Sequence, residues 1–379
     1  MTDMSRCAGG ISWSGPASRL LHGWLVIDKP VGPGSTQVVS AVKGALREGG
    51  YAKVKVGHGG TLDPLASGVL PVALGEATKL AGRMLDADKE YDFTIRFGEE
   101  TSTLDAEGEV VARSEVRPTF AEVEAVLARF TGEIVQVPPA YSALMVDGRR
   151  AYDRARAGEA VELAGRQVTV HALSSSPARG GGPLPQAVVE GGWSQVQALR
   201  PSVDTSNPLH HPPTADGPQH RVGHAPHGQG SSGERPDPML RPGEDLEQIT
   251  LTARVSKGTY IRSLARDIAH ALGTVGHVTM LRRTRAGPFD LAHAISLDEL
   301  AEFGQGRALE HHLLPLRAGL DDIPALPLTP DQAGALRQGR VLAGIAADDG
   351  QCFAMLDDVP VALVEVRTQE VRVVRGFNL

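Results

Sequence analysis

Hydrophobic and polar positions alternate strictly from Tyr91 to Phe97 (YDFTIRF). Tyr91, Phe93, Ile95 and Phe97 fall on one face, and Asp92, Thr94 and Arg96 on the other. A period of two predicts a half-buried strand, because successive side chains of an extended chain point to opposite faces. Ile249 to Val255 (ITLTARV) repeats the pattern. LVIDKP, from Leu25, is a short apolar run stopped by Pro30, and reads as a buried strand.

Elsewhere the apolar period lengthens to that of a helix. Val38, Val39, Val42 and Leu46 share one face of a segment that ends at Gly49-Gly50. Thr119 and Glu122 are spaced as a capping box for the stripe Phe120, Val123, Val126, Leu127 and Phe130, which Gly132 closes. From Tyr260, YIRSLARDIAHALG turns Ile261, Leu264, Ile268 and Leu272 inward and ends at Gly273.

Both periods fail between Ser174 and Glu244. SSSPARGGGPLP, NPLHHPPTADGPQH and APHGQGSSGERPDP are rich in Pro, Gly, Ser and His. Such a composition buries too little apolar surface to offset the entropy of ordering the chain, so 174–244 is expected to be a disordered insert. Beyond Leu313, short apolar runs recur with turns between them (VLAGIA, CFAML, VALVEV, VRVVRGF), which predicts a small β-rich domain over 313–379. Residues 1–22 are expected to be a flexible extension and 23–312 the main domain.

Composition adds bounds. The chain has 379 residues, 41% hydrophobic and 22% charged, as in an ordinary soluble protein. No apolar run approaches the roughly 18 residues needed to span a bilayer. The N-terminus lacks the basic and apolar regions of a secretory signal. Cys7 and Cys352 stand near opposite ends, which suggests neither a disulfide framework nor a metal cluster, and a cytoplasmic location is expected. The net charge of −7 by itself argues against a nucleic-acid partner. However, Lys257, Arg262, Arg266, Arg282, Arg283 and Arg285 stand against a single acid, Asp267, which leaves room for a local basic face.

The densest candidate chemistry is GHGGTLDPLASG. Gly57, Gly59 and Gly60 allow sharp turns and close approach of a ligand, and Pro64 pushes Asp63 toward an extended conformation. Asp-Pro also opens helices, with Asp as N-cap and Pro at the first helical position, so both readings stand. Tyr91 heads its strand, where a ring can stack on an extruded base or simply continue the core face. Arg262 opens a helix, where it can pair with an anion or be solvated. His210, His211, His220, His224 and His227 have metal-like spacing but no cysteine partner and no scaffold, so no metal site is expected. Gly32-Pro33-Gly34-Ser35-Thr36 lacks the lysine of a phosphate loop, and no nucleotide cofactor is expected.

Six ordered blocks resemble one family. GWLVIDKPVG, VGHGGTLDPLASGVLPVALGEATKL, DADKEYDFTIRFGEETSTLDAEGEV, VPPAYSALMVDGRRAYDRARAGE, VSKGTYIRSLARDIAHALG and HVTMLRRTRAGPF are similar to bacterial tRNA pseudouridine synthase B. The resemblance implies an α+β fold with a mixed, largely antiparallel central sheet, flanking helices and a small C-terminal PUA-like RNA-binding domain. It implies isomerisation of the uridine at position 55 in the T-loop of tRNA, with no cofactor, by a monomer that recognises the T-arm stem-loop. Asp63 aligns with the catalytic aspartate and His58 with the histidine that takes part in flipping the nucleotide. Tyr91 aligns with the tyrosine that stacks on the uracil. Tyr260 and Arg262 align with an active-site tyrosine and the aspartate's arginine, and Leu281 with an apolar residue of the uracil pocket. Lys29 and Pro30 belong to the N-terminal motif.

The chain departs from the family pattern in three places. VGPGSTQ replaces Thr-Ser-His with an extra residue, Met145 stands where a lysine is usual, and the 174–244 insert is additional. Competing readings are an RNA-guided relative, a non-catalytic RNA-binding or RNA-folding protein on the same scaffold, and a small-molecule enzyme.

Overall fold

The computed structural model describes residues 20–175 and 244–379, apart from single positions 143, 147, 160, 162 and 307. Residues 176–243 of the expected 174–244 insert, its histidines and most of the 1–22 extension therefore lie outside the described residues, while Ser174 and Ser175, expected in the insert, end a paired strand.

The first half runs β1 (Gly23–Lys29), α1 (Ser35–Glu48), β2 (Val56–His58), β3 (Ala66–Leu74), α2 (Ala81–Asp86), β4 (Lys89–Phe97) and a hairpin of β5 (Glu99–Thr101) with β6 (Val110–Arg113). Then come α3 (Phe120–Leu127), β7 (Gly132–Gln136), a hairpin of β8 (Met145–Val146) with β9 (Arg149–Arg150), α4 (Ala151–Arg156) and β10 (Arg166–Ser175). The second half continues with β11 (Gln248–Val255), α5 (Ile261–Ala271), β12 (Gly276–Ala286), β13 (Phe289–Asp290), β14 (Ala294–Ile295) and α6 (Leu297–Gly306). The tail holds β15 (Ala325–Pro327), α7 (Pro330–Arg337), β16 (Leu342–Ala343), β17 (Gly350–Leu356), β18 (Val359–Arg367) and β19 (Glu370–Gly376).

The main sheet has the order β14-β1-β3-β12-β4-β11-β10-β7, with β2 on β3 and β13 on β12. Only β1/β14 and β3/β12 pair in parallel. The sheet is thus mixed and largely antiparallel, as expected. The tail forms its own five-stranded sheet, β15-β17-β18-β19-β16.

One face of the main sheet is covered by two separate helical groups. Phe93, Ile95 and Phe97 of β4 join Leu251 of β11 beneath α3 and α5. Leu25 and Ile27 of β1 join Leu70 and Val72 of β3 beneath α1 and α6. Tyr91 and Leu281 are half-buried against both cores and mark the seam between them. The register places Leu281 opposite Ala66 on one side and Phe93 on the other, so strand pairing fixes this seam. On the reverse face, Trp24, Val26, Val69 and Ala73 share a core with Phe353, Met355, Leu363 and Phe377 of the tail sheet. Trp24 also exchanges backbone hydrogen bonds with Leu314 at 2.9 and 2.8 Å. The tail sheet is therefore packed on the main sheet through shared apolar side chains. No helix among the described residues is long and apolar enough to cross a membrane.

Local chemistry explains the helix ends. The Thr119 hydroxyl accepts from the Glu122 amide while the Glu122 carboxylate accepts from the Thr119 amide, which is the capping box read from the sequence. Val56–His58 and Ala66–Leu74 are paired strands at the two ends of GHGGTLDPLASG. The helix-cap reading of Asp63 is also overturned. No helix follows Pro64; a turn closed by the Ala66 amide on the Asp63 carbonyl (3.1 Å) leads directly into β3.

Candidate active site

The turn between β2 and β3 opens into a cleft of about 1420 Å³. Asp63, His58, Tyr91, Tyr260, Arg262 and Leu281 all line it. Residues from four distant stretches of sequence are gathered at the seam between the two helical groups.

Arg262 is the centre of the arrangement. Its side chain is 8% exposed, and Nη2 donates to Asp63 Oδ2 at 2.9 Å. Nη1 lies 3.1 Å from Asp105 Oδ2, and the carbonyls of Thr103 and Tyr141 accept at 2.8 and 3.0 Å. A guanidinium taken out of water requires partners for its fork of donors, and these four oxygens supply them. The solvated reading of Arg262 is thereby excluded. Asp63 itself is 45% exposed on the side chain, so one flank of the carboxylate is held and the other faces the cleft. Tyr260, the N-cap of α5, is held from below by the fully buried Gln136. The Gln136 amide donates to the Tyr260 carbonyl (3.1 Å) and accepts from its amide (2.8 Å).

Two buried cations lie beneath the Asp63 turn. Lys29 is fully buried, and its amine donates to the carbonyls of Pro30, Pro33 and Pro64 at 2.8, 2.9 and 3.4 Å. Burial lowers its pKa to about 8, against the opposing pull of Asp63. Lys29 thus holds the turn from behind and does not line the cleft. Arg283, 1% exposed, donates to the carbonyls of Val69, Thr61 and Gly60 at 2.7, 3.3 and 3.5 Å. Together they tie both ends of the turn to β1 and β12.

The glycines have distinct duties. Gly60 takes a positive φ (+140°) that side-chain-bearing residues avoid, and this lets the turn reverse above Arg283. Gly68 has φ +102°, and a β-carbon there would sit 2.1 Å from the Arg283 carbonyl oxygen, so glycine permits the β3–β12 contact. His58 is half-buried beside this turn, with Nδ1 buried and without a partner. Burial first, and Arg283 second, hold its pKa below the ordinary histidine value, so the ring enters neutral conditions uncharged.

The local basic face expected from Lys257–Arg285 does not form. Arg262 and Arg283 are buried, Arg282 pairs with Asp28 at 2.7 Å, Lys257 with Asp86 at 3.0 Å, Arg266 with Asp267 at 2.7 Å and Arg285 with Asp290 at 3.6 Å. Cations that line the cleft are instead Arg150 and Arg156, from a segment singled out only for its resemblance, and Arg166, from a segment not singled out at all.

The model for the TruB family pseudouridylate synthase N-terminal domain matches residues 49–180, and that for the tRNA pseudouridylate synthase B C-terminal domain matches 262–321. A tRNA pseudouridine synthase B of Novosphingobium aromaticivorans is 54% identical over 360 residues, covering 95% of this chain and 98% of the relative. One of Zymomonas mobilis subsp. mobilis is 51% identical, covering 94% and 96%. The chain belongs to the TruB family of pseudouridylate synthases.

The TruB family's reaction is the isomerisation of uridine in tRNA. Solved structures share its fold. A Cbf5-Nop10-Gar1 complex has a chain that superposes with TM-score 0.59 at 24% identity, covering 94% of this chain and 84% of that chain. An H/ACA RNP bound to a substrate RNA containing 2'-deoxyuridine gives TM-score 0.58 at 23% identity, covering 94% and 86%. Sequence reasoning missed two residues of this TruB site, Asp105 and Gln136. Each is an unremarked polar residue whose partner is more than 100 positions away, and burial is the signal that reveals them.

Proposed function

We propose that this chain converts the uridine at position 55 in the T-loop of tRNA to pseudouridine, with Asp63 as the nucleophile. The observation that carries the reading is the Asp63 carboxylate, gripped at 2.9 Å by buried Arg262 yet open on its other flank to a cleft walled by Tyr91 and Leu281.

The reaction breaks the C1′–N1 bond, turns the base, and joins C1′ to C5. The proton leaving C5 balances the one gained at N1, so uridine and product are isomers and no electrons enter or leave. A uridine in a folded loop must first leave its stack, at a cost of a few kcal/mol. Tyr91 recovers part of that cost by stacking on the uracil, with Leu281 as the apolar floor, and neutral His58 fills the space that the base leaves. Asp63 adds to the nucleotide, and Arg262 keeps the carboxylate aimed. Lys29 acts through the turn it holds. The tail sheet, over 313–379, adds RNA-binding surface, and the protein works as a cytoplasmic monomer.

The test is incubation of the purified chain with transcribed, unmodified tRNA, followed by mapping of pseudouridine by position. Product at position 55 without any other RNA or protein is expected. Modification that needs a guide RNA, or falls elsewhere in the tRNA, would refute the reading.

A further inference from the structure

Four buried side-chain nitrogen or oxygen atoms among the described residues lack a hydrogen-bond partner: His58 Nδ1, Arg83 Nε, Ser142 Oγ and Arg166 Nε. Three of the four, those of His58, Ser142 and Arg166, belong to residues that line the cleft. An unmade hydrogen bond at a buried polar atom is costly, so each of these three calls for an explanation in the cleft.

Arg166 is the charged member of this set. Its guanidinium lies over the Tyr260 ring, 4.8 Å from the centroid. Nη2 donates to the Gly258 carbonyl at the turn before α5. Gly258 has φ +82°, and a β-carbon there would lie 3.4 Å from the Arg166 Cζ, so the turn and the guanidinium are fitted to each other. Two anchors therefore fix the plane of the group without neutralising it. Among the described residues no carboxylate pairs with it, in contrast to Arg262, which faces two. Of the other cations lining the cleft, Arg283 and Lys89 already donate to backbone carbonyls, Arg156 stacks on Tyr152 at 5.6 Å, and Arg150 is exposed. A preorganised guanidinium that no carboxylate compensates is suited to an oxyanion such as a phosphate.

We infer that Arg166 binds a backbone phosphate flanking the target uridine and, through its stack on Tyr260, positions the start of the helix that carries Arg262. The inference rests on the reading of the cleft as the tRNA site and names the contact that seats the sugar–phosphate chain there. Phosphate binding and active-site alignment are then linked, because the same guanidinium touches the nucleic acid and the N-cap residue of α5.

The experiment uses the full chain and a T-arm stem-loop in which each phosphate flanking the target uridine is replaced in turn by an uncharged methylphosphonate. Wild-type protein must form pseudouridine in the unmodified stem-loop; if it does not, the proposed function fails, whatever Arg166 does. Given activity, one replacement is expected to weaken wild-type binding about 5- to 10-fold, and to weaken Arg166→Gln less than about 2-fold. Arg166→Gln should also lower the slope of log affinity against log salt by about one, whereas Arg166→Lys keeps the slope because it keeps the charge. Both variants should lose single-turnover rate, since Lys does not restore the flat stack on Tyr260. An unchanged slope in Arg166→Gln, or replacements that weaken wild type and variant equally, overturns the inference. If Arg166→Gln does not fold, the wild-type scan and Arg166→Lys carry the test, and a wild-type scan in which no phosphate matters overturns it alone.

Discussion

Arg262 Nη1 meets Asp105 Oδ2 at 3.1 Å, with the two side chains only 8% and 9% exposed. The same guanidinium holds Asp63 through its other nitrogen. Asp105 thus helps to balance the buried guanidinium, and leaves half-exposed Asp63 open to the cleft without leaving Arg262 uncompensated.

Removal of Asp105 is therefore expected to cost both stability and rate. Asp105→Ala leaves a buried cation with one half-exposed carboxylate, a change of about 3–5 kcal/mol in comparable buried pairs. Thermal melting and single-turnover kinetics on tRNA check this. A variant with unaltered melting temperature and rate would mean that Asp105 is a bystander.

Asp63→Asn should fold, bind tRNA and make no pseudouridine. The amide keeps the size and one acceptor for Arg262, and Asp105 remains to balance the guanidinium. Any measurable turnover by this variant rules out the nucleophile assignment.

Tyr91→Phe is expected to retain more activity than Tyr91→Leu, because stacking needs the ring and not the hydroxyl. Both variants keep the apolar contacts with the two cores that Tyr91 joins. Comparison of kcat and KM for the pair decides it; equal activity argues against stacking.

Stability and activity should part company at alkaline pH. The Lys29 pKa is about 8 in the folded chain against the ordinary lysine value of 10.5. Between these values the unfolded chain binds more protons, so this group makes stability rise with pH from about 8 to about 10.5. Over the same range the neutral amine has two N–H donors for three carbonyls and no longer attracts Asp63, so kcat should fall. Lys29→Met should remove that part of the rise in denaturant midpoint, which is checked by urea titrations at pH 7 and pH 10. A wild-type midpoint that does not differ from the variant in its pH dependence would contradict the assignment.

Much of this was legible in the sequence because the relevant signals are local. Period-two alternation marked β4 and β11, helical spacing marked α1, α3 and α5, and the Thr119–Glu122 spacing marked a cap that the structure contains. These depend on residues within one or two turns of each other. The turn at Asp63 was not legible in the same way, since Asp-Pro suits a helix start and a strand entry equally, and the choice falls to the pairing of β3 with β1 and β12.

What the sequence determined by itself was the inventory: the secondary elements, the glycine-rich turn, and the family blocks that named Asp63, Tyr91, Tyr260 and Arg262. Tertiary structure alone decided which charges are free. Six cations that look like a basic face are buried or paired, and Arg166, inconspicuous in the chain, is left uncompensated at the cleft. The physical reason is that charge compensation and desolvation depend on neighbours brought together from distant segments, as Asp105 is brought to Arg262.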